Sequence, residues 1–105
     1  MTILVVNRMG EHVLRVDKRN KFEIYYDILD ALRLESSTRV RFSPTRIARQ
    51  ANLPYNRFQK TLAMLVVLGL CFRDGNEFYV TEKGREYLAE YKRINEFFRR
   101  MGFYF

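Results

Sequence analysis

The residues that start and stop helices between Ser43 and Gly69 constrain the fold of this chain more than any other feature. Ser43 offers a capping hydroxyl directly before Pro44, which suits the first helical position because a missing N–H costs nothing there. Asn52 stands where that helix has to stop, since asparagine tolerates the left-handed backbone of a helix end. Pro54 then turns the chain, and Gly69 closes a second helix. This pattern predicts helices over residues 45–51 and 55–68, joined by a three-residue turn, which is a helix-turn-helix.

Helical and strand-like patterns predict the elements on either side of this unit. Asn20 caps a first helix over residues 21–34, and Thr81 opens a last helix. The stripe of the first helix that we expect to be buried comprises Phe22, Tyr25, Tyr26, Leu29 and Leu32. Strand-forming residues flank Asp74-Gly75-Asn76, which predicts a hairpin over residues 70–73 and 77–80, in the position of a wing. Short strands are also predicted over residues 2–7 and 12–17, with an edge strand over 39–42.

These elements predict an α+β, mostly helical fold, a winged helix-turn-helix with a long C-terminal helix and an N-terminal β segment. At 105 residues the chain suits one compact module. We expect an arm or hairpin over residues 1–19, a winged helix-turn-helix domain over 20–80, and a dimerisation helix with an aromatic tail over 81–105.

Two helices carry apolar stripes with different expected partners. On the helix over residues 55–68, Phe58, Leu62, Leu65 and Val66 share one face and are expected to reach the core. Along the last helix, apolar residues recur in steps of three and four, as in the seam of a coiled coil. We predict that two copies of the chain meet through Tyr87, Tyr91, Ile94, Phe98 and Met101. Because this helix spans only about 30 Å, we expect part of the seam to pack on its own domain.

The positive charge of the chain is concentrated in one window. Between Glu35 and Asp74 there is no acidic residue, while seven Lys and Arg fall there. These seven account for the whole formal net charge of +7, because the other 12 Lys and Arg balance the 12 Asp and Glu. A field of one sign over a short stretch steers and holds a polyanion, whereas a charge that serves solubility mixes both signs. The window therefore predicts binding of nucleic acid.

The predicted contacts divide into a base-reading group and a phosphate-holding group. On a helical wheel of about 100° per residue, the side of the 55–68 helix opposite its apolar face presents amides, cations and the small Ala63 and Val67. The base-reading group comprises Tyr55, Asn56, Arg57, Gln59 and Lys60. The phosphate-holding group comprises Arg39, Arg41, Arg46 and Arg49, since the first helix of such a unit crosses the backbone. Thr45 is predicted to contact DNA as well. Arg73 and Asn76, on a basic wing, are expected to reach a minor groove or a phosphate. Asn56 and Gln59 are equally consistent with ordinary surface polarity, and Tyr55 with packing at the helix start.

The sequence lacks the parts of several other function classes. With one histidine, one cysteine, no glycine-rich phosphate loop and no metal-binding pair, it predicts no enzyme, no cofactor, no metal site and no small-molecule ligand. No carboxylate is expected near the basic surface. Cys71 lies in an apolar run, which predicts a small core residue and a reducing cytoplasm. The longest apolar run, residues 62–72, falls short of the roughly 20 residues that span a bilayer, and the N-terminal run is too short for a signal peptide.

Three short segments resemble small archaeal winged-helix DNA-binding proteins. They are Phe22–Leu29, Ala51–Asn56 and Tyr79–Gly84, and the Thr-Glu-Lys-Gly step at 81–84 is the most characteristic. The likeness covers residues 20–101. It implies a terminal helix that forms an antiparallel coiled coil between two protomers, and a homodimer that binds double-stranded DNA as a regulator or chromatin-associated protein. Residues 1–19 are not part of that pattern and are expected to form an added hairpin or a disordered arm.

Three functions remain open from the sequence. A dimeric regulator would place two recognition helices on half-sites about one helical turn apart. An architectural protein would bind with steep salt dependence and little sequence preference. A protein-interaction module would use the aromatic residues of 98–105 or the region of Val67 and Leu68. The basic window favours DNA as the partner.

Overall fold

The computed structural model describes residues 2–6, 12–16, 19–38 and 41–103. The elements are β1 (Thr2–Val6), β2 (His12–Val16), α1 (Lys21–Ser36), α2 (Pro44–Gln50), α3 (Tyr55–Val67), β3 (Cys71–Asp74), β4 (Glu77–Val80) and α4 (Glu82–Arg100). The strands form two separate antiparallel hairpins, β1 with β2 and β3 with β4. The predicted α+β, mostly helical winged helix-turn-helix is confirmed. The N-terminal strands pair as a hairpin, and their predicted last residues, Asn7 and Asp17, lie outside the described residues.

The helix boundaries fall close to the positions that the sequence predicts. The hydroxyl of Ser43 accepts the N–H of Arg46 at 3.2 Å, and Pro44 is the first residue of α2. Asn52 has a φ of 57° and Gly69 a φ of 77°, so both occupy the left-handed region that ends a helix. The link between α2 and α3 is one residue longer than predicted, because α2 already ends at Gln50.

The core lies where α1, α2 and α3 meet. Its fully buried side chains include Ile28, Leu29, Ile47, Phe58 and Leu65. The same cluster takes in Leu88 of α4, the first and last residues of the second hairpin, Cys71 and Val80, and Leu70 just before it. The last helix therefore shares the core of the helix-turn-helix.

Two predicted apolar stripes are wrong in part. On α1 the aromatic residues do not form the centre of the buried face: Phe22 is exposed, Tyr25 and Tyr26 are half-buried, and Ile24 and Ile28 are buried instead. The reason is that α1 packs against α4 as well as against α2, α3 and β4, so its residues meet more than one neighbour. On the α4 side, Tyr26 stacks on Tyr91 with ring centroids 5.0 Å apart. On α3, Val66 is exposed, while the other three residues of its stripe are buried as predicted.

The predicted edge strand over residues 39–42 is wrong for its described half. Arg41 and Phe42 lie in irregular backbone, and residues 39 and 40 lie outside the described residues. Phe42 packs its ring against Phe78 of β4 at a centroid distance of 6.4 Å, so it contributes a side chain to the second hairpin and not a strand. We call this hairpin, residues 71–80, the wing. Gly75 at its turn has a φ of 63°, the sign that the first central residue of a type II′ turn requires.

The Thr-Glu-Lys-Gly step holds the start of α4 against the end of α3. The hydroxyl of Thr81 accepts the N–H of Gly84 at 3.0 Å and donates to the carbonyl of Gly69 at 2.6 Å. The ammonium of Lys83 donates to the carbonyl of Leu68 at 2.8 Å, where a cation also suits the negative end of the α3 dipole. These bonds fix α3, the wing and α4 relative to one another.

Candidate nucleic-acid interface

Helix α3 presents the predicted base-reading side chains on its exposed side. Phe58, Leu62 and Leu65 hold the opposite side in the core, so the rotation of the helix about its axis is fixed. The exposed residues of α3 include Tyr55, Asn56, Arg57, Gln59, Lys60, Ala63 and Val67. The five predicted base-reading side chains are thus all exposed, and so are Arg41, which precedes α2, and Thr45 and Arg49 of α2. Arg39 lies outside the described residues.

Arg46 is tied to an acidic residue of α1. Its Nε donates to Glu35 Oε1 at 3.0 Å, and one terminal nitrogen donates both to Glu35 Oε2 and to the Arg41 carbonyl. The backbone N–H of Ser43 donates to the same carboxylate at 3.2 Å. The hydrogen bonds from Arg46 hold the pKa of Glu35 below its usual value.

The expectation that no carboxylate lies near the basic surface is therefore wrong. Glu35 is only 5% exposed and lies under the start of α2, where its charge balances that of Arg46. Contact of Arg46 with a phosphate stays a prediction, and its guanidinium already serves to join α1 to α2.

Sequence reasoning missed Arg19, which it placed in the N-terminal arm. Its guanidinium donates to the carbonyls of Ala51 at 2.8 Å and Asn52 at 2.9 Å, and pairs with the Asp27 carboxylate at 2.9 Å. Arg19 thus sets a cation at the end of α2, which the helix dipole favours, and ties the helix-turn-helix turn to α1. The sequence gives no signal for this role, because the two carbonyls belong to residues 32 and 33 positions away.

The wing is not basic, contrary to the prediction. Arg73 is its one cation, against Asp74 and Glu77, which face each other across the hairpin. Arg73 Nε donates to the Gly75 carbonyl at 2.7 Å, and its guanidinium lies 6.0 Å from the Phe78 ring centroid. Asn76 is exposed at the turn. Because two carboxylates at the tip repel phosphates, the positive surface of the site is the one on α2 and α3.

A family model described as winged helix-turn-helix matches residues 18–99, from just before Arg19 to the last turn of α4. The chain belongs to the winged helix-turn-helix family. No curated protein matches it. Domains of the winged helix-turn-helix family typically bind DNA and are not enzymes. In a helix-turn-helix the second helix is the recognition helix, and α3 holds that position in this winged helix-turn-helix protein.

The predicted dimerisation residues of this winged helix-turn-helix protein divide into two sets. Tyr87 and Tyr91 contact α1 of their own chain: the Tyr87 hydroxyl donates to the Phe22 carbonyl at 2.6 Å, and Tyr91 stacks on Tyr26. Burial raises the pKa of Tyr87 to about 12. The expectation that part of the seam packs on its own domain is confirmed for this half.

The other set, Ile94, Phe98 and Met101, lies beyond these contacts. Ile94 and Met101 are exposed, and the half-buried Phe98 packs edge-on against Phe103. Phe22 of α1 and the side chains of Ile94, Phe98 and Phe103 line a groove of about 470 Å³, which we call the α4 groove. Tyr87, Tyr91 and polar residues of both helices lie at its borders, and Met101 is not part of its lining. Tyr104 and Phe105, the last residues of the aromatic tail, lie outside the described residues.

The described residues offer little for chemistry at a metal or a thiol. Within them, no three His, Cys, Asp or Glu side chains come together as a metal site would need. Cys71 is buried, as predicted, and burial raises the pKa of its thiol to about 11, so it is protonated at neutral pH. In the part of the chain that the structure describes, no helix is long and apolar enough to cross a membrane.

Proposed function

We propose that this protein is a homodimeric transcriptional regulator that binds double-stranded DNA, with α3 in the major groove and α2 across the phosphate backbone. Family membership supports DNA as the partner. The exposed amides and cations of α3 support base reading, and the α4 groove supports a dimer whose two recognition helices meet half-sites about one helical turn apart. A cytoplasmic location belongs to the same proposal and is supported by the free thiol of Cys71.

One observation carries the proposal: the surface of α2 and α3 has a single sign of charge. Arg41, Arg49, Arg57 and Lys60 are exposed on it, and residues 41–73 contain no Asp or Glu. Elsewhere the signs are mixed, since α4 carries four Glu among six Lys and Arg. A one-sign surface on a helix-turn-helix is suited to the phosphates that flank a groove.

We expect Arg49→Ala to weaken binding to every duplex alike. Arg49 is exposed in the last turn of α2, where a cation meets the backbone and not a base edge. Losing one phosphate contact makes the slope of log K against log salt concentration shallower by about 1. The measurement is fluorescence anisotropy with a random-sequence duplex and a selected duplex across a potassium chloride series.

Lys92→Ala is the matched control, because it removes the same charge from an exposed position on α4. Its salt slope should equal that of the wild type, and equal changes in both variants would contradict the assignment of the surface. Failure of the wild type to bind any duplex at low salt would overturn the proposed function. Salt-sensitive binding that enriches no sequence would replace the regulator with an architectural role.

The dimer is supported by the position of three apolar residues near the end of α4, of which Ile94 and Met101 are exposed and Phe98 is half-buried. Ile94, Phe98 and Met101 follow one another in steps of three and four after the point where Tyr91 is packed on α1. Apolar residues that cluster on a surface mark interaction sites, whereas isolated ones do not. In a twofold dimer each copy would offer the same groove to the other, so that one set of residues supplies both halves of the contact.

We expect Ile94→Glu to convert the dimer to a monomer. The carboxylate would be buried in an apolar contact without a partner, which raises the dissociation constant about a hundredfold or more. Sedimentation velocity over a concentration series measures this. Phe72→Glu is the control, since Phe72 on the wing is exposed to nearly the same extent, 47% against 44% for Ile94. A monomeric wild type, or equal dissociation in both variants, would reject the α4 groove as the dimer contact.

A further inference from the structure

The second half of α3 is exposed yet carries no charge. From Thr61 to Gly69 there is no Asp, Glu, Lys, Arg or His. Met64, Val67 and Leu68 are nonetheless exposed, and Val67 retains 80% of its accessible surface. A solvated helix face normally carries polar side chains, so this half of α3 is suited to contact apolar groups.

These apolar residues continue the line of the base-reading side chains. Asn56, Gln59, Ala63 and Val67 are spaced by three or four residues, which places them one above the other on α3. Gln59 and Ala63 also border a cleft of about 450 Å³ between α3 and the wing. The axial distance from residue 59 to residue 63 is about 6 Å, close to the rise of two base pairs, about 7 Å. An amide and a methyl group are thus presented at the spacing of nearby base pairs.

We propose that α3 reads A·T pairs, with the side-chain amide of Gln59 on the edge of an adenine and the methyl groups of Ala63 and Val67 on the C5-methyl groups of neighbouring thymines. Adenine presents the N6 donor and N7 acceptor that an amide matches, and thymine is the one base with a methyl group in the major groove. The inference rests on the proposed function, because it needs α3 in that groove.

The composition of the line of side chains favours A·T over G·C pairs. Guanine is most often read by an arginine in bidentate geometry, and no arginine stands among these four residues. Cytosine presents an amino group that donates a hydrogen bond, and the side chains of Ala63 and Val67 have no atom to accept it. The amino group would therefore be covered by these side chains and left unpaired.

Charge favours DNA over a protein as the partner of this surface. The exposed Arg57 and Lys60 lie on the same side of α3 as the apolar residues. DNA supplies phosphates or guanine edges for the cations, and methyl groups for the apolar half, within one groove.

The test compares a selected duplex with a version in which deoxyuridine replaces thymidine, which removes only the C5-methyl group. For the wild type we expect about a threefold loss of affinity for each contacted thymine. Val67→Thr replaces one methyl group by a hydroxyl of similar size, and Ala63→Ser adds a hydroxyl to the Ala63 methyl group. Each change puts a polar group in place of an apolar contact, so each should bring the ratio of the two affinities towards one. Gln59→Ala should lose about tenfold in preference for adenine at one position.

Leu68→Gln is the matched control, because it makes an exposed apolar residue of the same helix polar but lies off the line of Ala63 and Val67. Its thymine-to-uracil ratio should equal that of the wild type. Equal affinity of the wild type for both duplexes, or enrichment of a G·C-rich site, would overturn the inference while DNA binding persists. Equal affinity would also be the outcome if a protein covers the apolar half. Absence of binding to random DNA at low salt would reject the proposed function instead.

Discussion

Gly84→Ala is expected to destabilise the protein by about 3 kcal/mol or more, although alanine is the better helix former. A Cβ atom at residue 84 would lie 2.1 Å from the carbonyl oxygen of Leu70 and 2.6 Å from Cγ1 of Val80. The Leu70 carbonyl cannot turn away cheaply, because it accepts the N–H of Thr81 at 3.1 Å. The added methyl group therefore has to push the start of α4 away from the end of α3 and from the wing. Urea denaturation at one protein concentration measures the free energy of unfolding.

The control is Ala89→Gly, the same pair of residues exchanged in the opposite direction at an exposed position of α4. At that position only helix propensity distinguishes the two residues, and we expect Ala89→Gly to lower the free energy of unfolding by about 1 kcal/mol. If helix propensity also governed residue 84, Gly84→Ala would be more stable than the wild type, and that result would refute the close contact. A variant that does not fold at all agrees with the prediction, and its loss would then exceed the total stability.

The short-range chemistry of the backbone explains why the element order could be predicted from the sequence. Ser43 and Thr81 cap helices with their own hydroxyls, and Asn52, Gly69 and Gly75 adopt positive φ values. Each of these roles depends on the residue itself and on neighbours within about four positions, so the sequence contains the whole signal. The exposed side of α3 could also be predicted from neighbouring residues, because Phe58, Leu62 and Leu65 recur at helical spacing and their burial leaves the opposite side exposed.

The contacts that the sequence could not predict are those between distant residues. Arg19 and the carbonyl of Ala51 are 32 residues apart, and Glu35 and Arg46 are 11 apart, so neither pair leaves a periodic trace. The spacing of Phe22 fits the stripe of α1 and predicts a core position, but its side chain is exposed and lines the α4 groove. The charge of the wing is a different error. Arg73 was counted with the basic window, whereas in the hairpin it stands next to Asp74 and Glu77.

The ion pair of Glu35 and Arg46 gives one predicted DNA contact a second, structural role. The positive charge of Arg46 on α2 predicts a phosphate contact, yet its guanidinium lies against the buried carboxylate of Glu35. Deleting the arginine therefore does more than delete a phosphate contact, because it leaves the carboxylate buried with the single donor of Ser43. The cost of an unpaired buried charge exceeds the usual contribution of a surface cation.

We expect Arg46→Met to lower the free energy of unfolding near neutral pH by several times the loss that follows removal of a surface cation. Hydrogen bonds from Arg46 hold the pKa of Glu35 in the folded wild type below its ordinary value. The ionised carboxylate therefore stabilises the folded wild type at any pH above the ordinary pKa of a glutamate. This stabilisation is lost as the pH falls through the lower pKa that Glu35 has in the folded protein. Without Arg46, burial of Glu35 raises its pKa. As the pH falls, the carboxyl group takes up a proton, and the unpaired buried charge no longer destabilises the variant. The difference in stability between the two proteins should therefore narrow as the pH falls from neutral through the ordinary pKa of a glutamate, about 4.3.

Two further variants separate this cause from simple loss of an arginine. Arg33→Met removes a cation whose partner, Asp30, lies one turn away on the exposed part of α1, at 2.8 Å, and we expect a loss below about 0.5 kcal/mol. The double variant Glu35→Gln, Arg46→Met lacks the buried charge, so it should be more stable than Arg46→Met at neutral pH, with no narrowing on acidification. The contrary outcome is that Arg46→Met loses no more free energy of unfolding than Arg33→Met, or loses the same amount at every pH. Either result would mean that the carboxylate of Glu35 is solvated. Arg46 would then be available to DNA, as the exposed cations of the surface are.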